Sequence, residues 1–353
     1  MNKLFKLLFV AVIFFFCQIT TAQNKNDQVN VIIIDAGHGG KDPGASGTKS
    51  KEKNITLAIA LKLGKYIEKN LPDVKVIYTR KTDKFIELHE RSEIANRNNA
   101  DLFISIHVNA STKKTITGTS TFIMGLNRAE KQLNVVKREN SVILIEDNYQ
   151  TKYEGFDPNS PESDIIFSLY QNAYLEKSIS LAELVQEEFK DKAKRSDRDV
   201  RQAGLVVLWN CSMPSILIET GFITNPTEEN FLNTENGQAI IASAIYRAVK
   251  KYKYETEHQN EPINTNNDIT FKVQLLFSRK KIDTNPENFK GIKNVECIED
   301  GRYYRYFTGH TKSYNEIAKL QKEVRKKIPE AYVIAVNNGK LITVKEALQI
   351  INN

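Results

Sequence analysis

From residue 29 to residue 252, strand-like apolar runs alternate with amphipathic helical stretches, and this alternation narrows the possible architectures more than any other feature. Val29 to Asp35 (VNVIIID) is a nearly continuous apolar run bounded by polar and glycine-rich sequence, as suits a strand buried on both faces. Between Asn54 and Asn70 the period changes. Leu57, Ala60, Leu61, Gly64 and Ile67 share one helical face, and Asn54 can cap its start. The same reading predicts strands over 74–79, 100–107, 117–124 and 214–219, with helices over 87–98, 170–190 and 237–252. Strands alternating with helices predict an α/β fold whose mostly parallel sheet is covered by helices on both faces. Chemistry in such sheets gathers beyond the carboxyl ends of the strands.

Three of these ends carry polar residues suited to a metal site. They are His38 in DAGHGG, His107 in SIHVN and Glu219 in ILIETG, while Glu52 in KEKN stands just before the first helix. Two imidazoles and one carboxylate suffice for a zinc site with an open position, and a second carboxylate can move a proton. Gly37, Gly39, Gly40 and Gly44 let the backbone around His38 pass close to a metal or an extended substrate. Each residue also has a plainer reading. A lone histidine is commonly structural, and Glu52 within KSKEKN is a solvated charge. The ligands are not aligned on one helical turn, so their spacing alone says little. His89, His258 and His310 lack comparable surroundings and read as ordinary residues.

The chain's 353 residues are enough for two domains. Residues 1–22 read as a signal peptide: Lys3 and Lys6 precede an apolar stretch from Leu7 to Cys17, and small residues end at Ala22. That run is short for a membrane span. Residues 127–168 break the alternation and read as an insertion, serving as a surface elaboration, a lid or a plug. Residues 253–267 read as a flexible linker. Residues 268–353 follow a β-α-β-β-α-β order, a split βαβ sandwich with one open sheet face. The formal charge of +7 falls to +5 once Lys3 and Lys6 leave with the leader. No long basic run with interleaved aromatics is present, so nucleic acid is not the expected partner; an anionic envelope polymer fits the charge. Cys211 and Cys297 fall in different units and are not expected to form a disulfide.

A larger set of strings carries a resemblance: DAGHGGKDPGA, Glu52-Lys53-Asn54, TRKTD at 79–83, LHERSEIAN at 88–96, SIHVNA, RQAGLVVL at 201–208 and PSILIETGFITNPTEE at 214–229. Together they resemble, in order and over roughly 29–252, the zinc-dependent N-acetylmuramoyl-L-alanine amidases of the amidase-3 group. The resemblance implies hydrolysis of the amide between N-acetylmuramic acid and L-alanine of the peptidoglycan stem peptide, in wall remodelling and daughter-cell separation. It implies one Zn2+ held by His38, Glu52 and His107, with Glu219 as the catalytic carboxylate. Arg80 and Arg91 match recurrent family positions and are read as structural partners of strand-end carboxylates. Some family members carry an inserted helix that plugs the cleft until an activator protein removes it, and 127–168 lies at the comparable place. The C-terminal unit resembles a SPOR domain through FKVQLLFS, DGRYYRYFTGHT and EAYVIAVNNGK. That resemblance implies binding of glycan strands stripped of stem peptides, with Gln274, Ser278, Tyr303 and Arg305 as candidates on the exposed sheet face. The implied location is the periplasm at the division septum. Two other functions stay open: a zinc peptidase acting within stem peptides, and a non-catalytic wall-binding activator.

Overall fold

Ile32 and Ile34 pack on one side of the first strand with Ile55, Leu63 and Ile245, whereas Ile33 packs on the other with Ile94, Phe103 and Leu217. Successive side chains of a strand point to opposite faces, so a run that is apolar at every position needs cover on both. This is the arrangement in the computed structural model, which describes residues 28–125, 130–153, 174–258, 269–278, 280–300, 303–337, 340–342 and 344–352. The expected signal peptide lies outside the described residues.

The first sheet contains β1 (Val31–Ala36), β2 (Lys75–Tyr78), β3 (Leu102–Asn109), β4 (Thr119–Met124), β5 (Asp197–Ala203) and β6 (Ser215–Phe222), in the order β2-β1-β3-β6-β4-β5. β2, β1, β3 and β6 are mutually parallel; β4 runs antiparallel to β6, and β5 is parallel to β4. Its longer helices are α1 (Glu52–Asn70), α2 (Leu88–Arg97), α3 (Glu130–Asn140), α4 (Leu175–Asp191) and α5 (Glu235–His258). Residues of α1, α4 and α5 fill one core, and residues of α2, α3 and the short helix Val206–Trp209 fill the other. Sequence periodicity does not reveal β5. Its residues DRDVRQA alternate little, and it sits at the sheet edge, where charge discourages pairing with another chain.

The strand ends are fixed by buried charge. Asp35 is fully buried and accepts hydrogen bonds from Arg91 Nη1 at 2.7 Å, Thr79 Oγ1 at 2.7 Å and Ser105 Oγ at 2.6 Å. Arg91 also donates to the carbonyls of Ile86, Ala36 and His38, so it holds the loop that follows β1. Arg80 donates to the carbonyls of Ala36, Gly37 and Lys53, not to a strand-end carboxylate. Arg91→Met is expected to cost about 3–5 kcal/mol, because it leaves Asp35 charged and buried without its cation. Denaturant titration of the variant checks this, and an unchanged midpoint would refute it.

α5 continues to His258, into the stretch read as linker, because Lys253 binds Glu257 one turn on and also Asp73 and the Val29 carbonyl. The remaining linker residues, 259–267, lie outside the described residues. Beyond them β7 (Ile269–Ser278), β8 (Glu296–Asp300), β9 (Tyr303–Thr311), β10 (Tyr332–Asn337) and β11 (Lys340–Ile342) form an antiparallel sheet ordered β11-β10-β7-β9-β8. Phe271, Val273, Leu275 and Tyr306 pack from this sheet against α6 (Tyr314–Arg325) and α7 (Val344–Asn352) through Ile317, Val324 and Ala347. β11 and α7 extend the expected β-α-β-β-α-β order. Among the described residues, no helix is long and apolar enough to cross a membrane. Cys211 and Cys297 are both free thiols.

Candidate metal centre

His38 follows β1 with φ of 63°, a left-handed conformation that turns its ring back over the strand ends. β3 delivers His107 alongside it; the two rings meet edge to face with centroids 4.8 Å apart. Both glycines nearest the rings are there for space. A Cβ on Gly37 would lie 2.5 Å from His107 Nε2, and one on Gly44 (φ 65°) would lie 2.6 Å from His38 Cδ2. Glu52 is the first residue of α1 and is fully buried, so it is not a solvated charge. Its Oε2 accepts from Ala45 N at 2.8 Å and its Oε1 from Val108 N at 2.7 Å, which orients the carboxylate.

Oε1 of Glu52 lies 3.1 Å from His38 Nε2 and 3.3 Å from His107 Nδ1. A fourth group, Glu139 Oε2 from α3, lies 3.4 Å and 3.0 Å from the same two nitrogens. His38, Glu52, His107 and Glu139 can each turn one donor atom toward a common point, all within 4.8 Å of one another. His38 Nε2, His107 Nδ1 and Glu139 Oε2 are buried and lack any hydrogen-bond partner. Buried polar atoms are otherwise almost always paired, so three orphans converging on one point fit a cation. The charges agree. Burial opposes protonation of both imidazoles, yet Glu52, Asp42 and Glu139 hold His38 well above its ordinary range, and Glu139 and Glu52 push His107 up to about 9. A divalent cation meets the same demand for positive charge and displaces those protons.

Glu219 is carried by β6 and is the ladder neighbour of His107, and it is buried. Burial, reinforced by Glu139 and Glu52 and opposed by Arg138, pushes its carboxyl up to about 8. Its Oε1 accepts from Arg138 Nη2 at 3.0 Å, and its Oε2 is without a partner. The cluster thus joins two imidazoles, the oriented carboxylates of Glu52 and Glu139, and the buried carboxyl of Glu219 at one sheet edge.

Residues 32–251 match the family model described as N-acetylmuramoyl-L-alanine amidase. The chain belongs to this family. This amidase is 34% identical over 238 residues to N-acetylmuramoyl-L-alanine amidase AmiA of Escherichia coli K12, covering 67% of this chain and 80% of that protein. It is also 34% identical over 229 residues to AmiC of Escherichia coli O6:H1, covering 64% of this chain and 53% of that protein. A solved N-acetylmuramoyl-L-alanine amidase from Clostridium difficile 630 aligns with a TM-score of 0.48 at 29% identity, covering 64% of this chain and 97% of that one. The reaction of this amidase is hydrolysis of the bond joining N-acetylmuramic acid to the stem peptide, in remodelling of the cell wall.

Two residues at the centre of this amidase were not singled out by sequence reasoning. Asp42 Oδ2 lies 2.7 Å from His38 Nδ1, and its Oδ1 accepts from Gly44 N at 3.0 Å. It therefore fixes the ring so that Nε2 faces the cluster; its place four residues after His38 in DAGHGGKDPGA was the available signal. Removing such a carboxylate partner typically weakens metal binding. Asp42→Ala is expected to lower metal affinity about 10–100-fold, measured by competition with a chelator. The second residue, Glu139, had no signal beyond the helical look of its segment.

Adjacent residues of α3 reach both parts of the site. While Glu139 joins the group of four converging side chains, Arg138 donates to Glu139 Oε1 at 2.8 Å, to Asn109 Oδ1 at 3.2 Å and to Glu219. Val142 and Ile143, just beyond the helix, pack into the core beside Phe122 and Leu217. Asn140 and Val142 line the narrow cleft that remains beside His38 and His107.

The residues expected to form an exposed glycan-binding face are differently placed. Gln274 and Arg305 are buried. Arg305 pairs with Glu176 of α4, and Gln274 donates to the Tyr332 hydroxyl. Ser278 is half-buried, and its hydroxyl accepts from Lys280 N at 3.2 Å. The Tyr303 side chain lies outside the described residues. The sheet face read as open is covered where Arg305 and Tyr332 meet the amidase domain. His89, read as an ordinary residue, packs edge to face on Tyr153 of the insertion.

Proposed function

We propose that this amidase is a zinc enzyme in which His38, Glu52 and His107 hold the ion and Glu219 transfers the proton. The observation that carries the reading is the convergence of the unpartnered His38 Nε2 and His107 Nδ1 on Glu52, beside the unpartnered Glu219 Oε2. Two histidines and a carboxylate with an open position favour zinc over harder cations. When bound, zinc polarises the scissile carbonyl and acidifies water. Asp42 sets the His38 tautomer, and the Ala45 and Val108 amides keep the Glu52 carboxylate turned inward. Beside a divalent cation Glu219 is favoured in its ionised form, which accepts the proton from water on Oε2 and passes it to the departing L-alanine nitrogen.

In this reading α3 holds the enzyme shut. Glu139 occupies the position that substrate needs, and Arg138 neutralises Glu219. An activator protein that draws α3 away would complete the site. The C-terminal unit serves as a SPOR-like module for glycan strands lacking stem peptides, and the leader directs the enzyme to the periplasm, at the division septum. Peptidoglycan is the substrate. Product analysis of digested sacculi tests the reaction. New lactyl carboxylates together with free L-alanine amines are expected; cleavage only between stem-peptide residues would instead make the enzyme a peptidase.

A further inference from the structure

The contact between the two sheets is built around one carboxylate. Glu176, in the first turn of α4, places Oε2 2.6 Å from Arg305 Nη1, and its Oε1 accepts from the Tyr332 hydroxyl. Tyr332 also accepts from Gln274 Nε2, and these two residues are directly opposite in the β7–β10 ladder. Arg305 is opposite Phe277 in the β7–β9 ladder, and Phe277 packs on the amidase core. A guanidinium and a phenol converging on one carboxylate form two strong, directional hydrogen bonds. The cradle is not saturated, because the buried Gln274 Oε1 has no partner. Nor is its occupant sealed away: the Glu176 side chain keeps 24% of its surface exposed.

The reaction of this enzyme makes a ligand of the same chemistry. Hydrolysis of the amide leaves the lactyl group of N-acetylmuramic acid as a free carboxylate on the glycan, flanked by hydroxyls and acetamido N–H groups that can donate to Gln274 Oε1. We propose that Arg305, Tyr332 and Gln274 form a subsite for the lactyl carboxylate of stripped glycan, and that Glu176 fills this subsite as an internal competitor. Product strands then displace Glu176, and the C-terminal sheet leaves the amidase domain as it takes hold of the strand. This rests on the reading of the C-terminal unit as a glycan-binding module.

The test measures binding of the full chain to soluble glycan strands freed of stem peptides, either with free lactyl carboxylates or with those carboxylates capped as methylamides. If Glu176 blocks the cradle about nine-tenths of the time, removing it tightens apparent affinity about tenfold. Glu176→Ala and Glu176→Gln are both expected to bind free-carboxylate strands more tightly than the wild type, and capping is expected to abolish the gain. Equal affinities of wild type and both variants within twofold, or full retention of binding by capped strands, would overturn the subsite while leaving glycan binding intact. Failure of every form to bind either strand would remove the glycan-binding reading and the subsite with it.

Discussion

Arg138→Ala combined with Glu139→Ala is expected to raise the rate of sacculus digestion about 10- to 1,000-fold. That range corresponds to a shut state favoured by a few kcal/mol, with the open form populated at about 0.1–10%. The two substitutions remove what ties α3 to the chemistry: the approach of the Glu139 carboxylate to His38 and His107, and the hydrogen bonds from Arg138 to Glu219 and Asn109. They leave Val135, Val142, Ile143 and Tyr153 in the core, where these residues pack with Phe122, Met124 and Leu217. Deleting 127–168 would strip that core face as well, so the double variant separates release of the cleft from loss of packing. Dye release from labelled sacculi gives the rates. If wild type and variant digest at the same rate, α3 does not control access.

In the released enzyme, Glu219→Gln is expected to lower turnover about 10²–10⁴-fold. The amide keeps the shape of the side chain and cannot accept the proton at Oε2. Glu219 is the ladder neighbour of His107, yet it is not in the group of four whose donor atoms converge, so metal content should stay that of the parent. A fall in turnover with zinc retained assigns Glu219 to proton transfer. A parallel loss of zinc would show instead that Glu219 acts as a ligand.

The way the site could be read from sequence follows from its construction. His38, His107 and Glu219 end apolar runs, and a parallel sheet gathers such ends at one edge. Glu52 had no such pattern, because its inward orientation comes from the backbone amides of Ala45 and Val108, which only the folded loops supply. Glu139 is harder still: it enters from a segment without sheet periodicity, and its role depends on where α3 docks. The polar β5 was hidden because an edge strand need not alternate. Gln274 and Arg305 looked like an exposed face because the strand period shows which residues share a side, and not what covers that side. Glu176, which covers it, lies 129 residues before Arg305 in the chain.

Metal dependence of the released enzyme is the most direct test of the central claim. The Arg138→Ala, Glu139→Ala protein, stripped by chelator and dialysed, should release no lactyl carboxylate from sacculi. One equivalent of Zn2+ should restore the reaction, and His38→Ala or His107→Ala in the same background should neither bind that equivalent nor regain activity. Full hydrolysis by the stripped protein, or zinc-restored hydrolysis without either histidine, would contradict a zinc centre built on His38, Glu52 and His107.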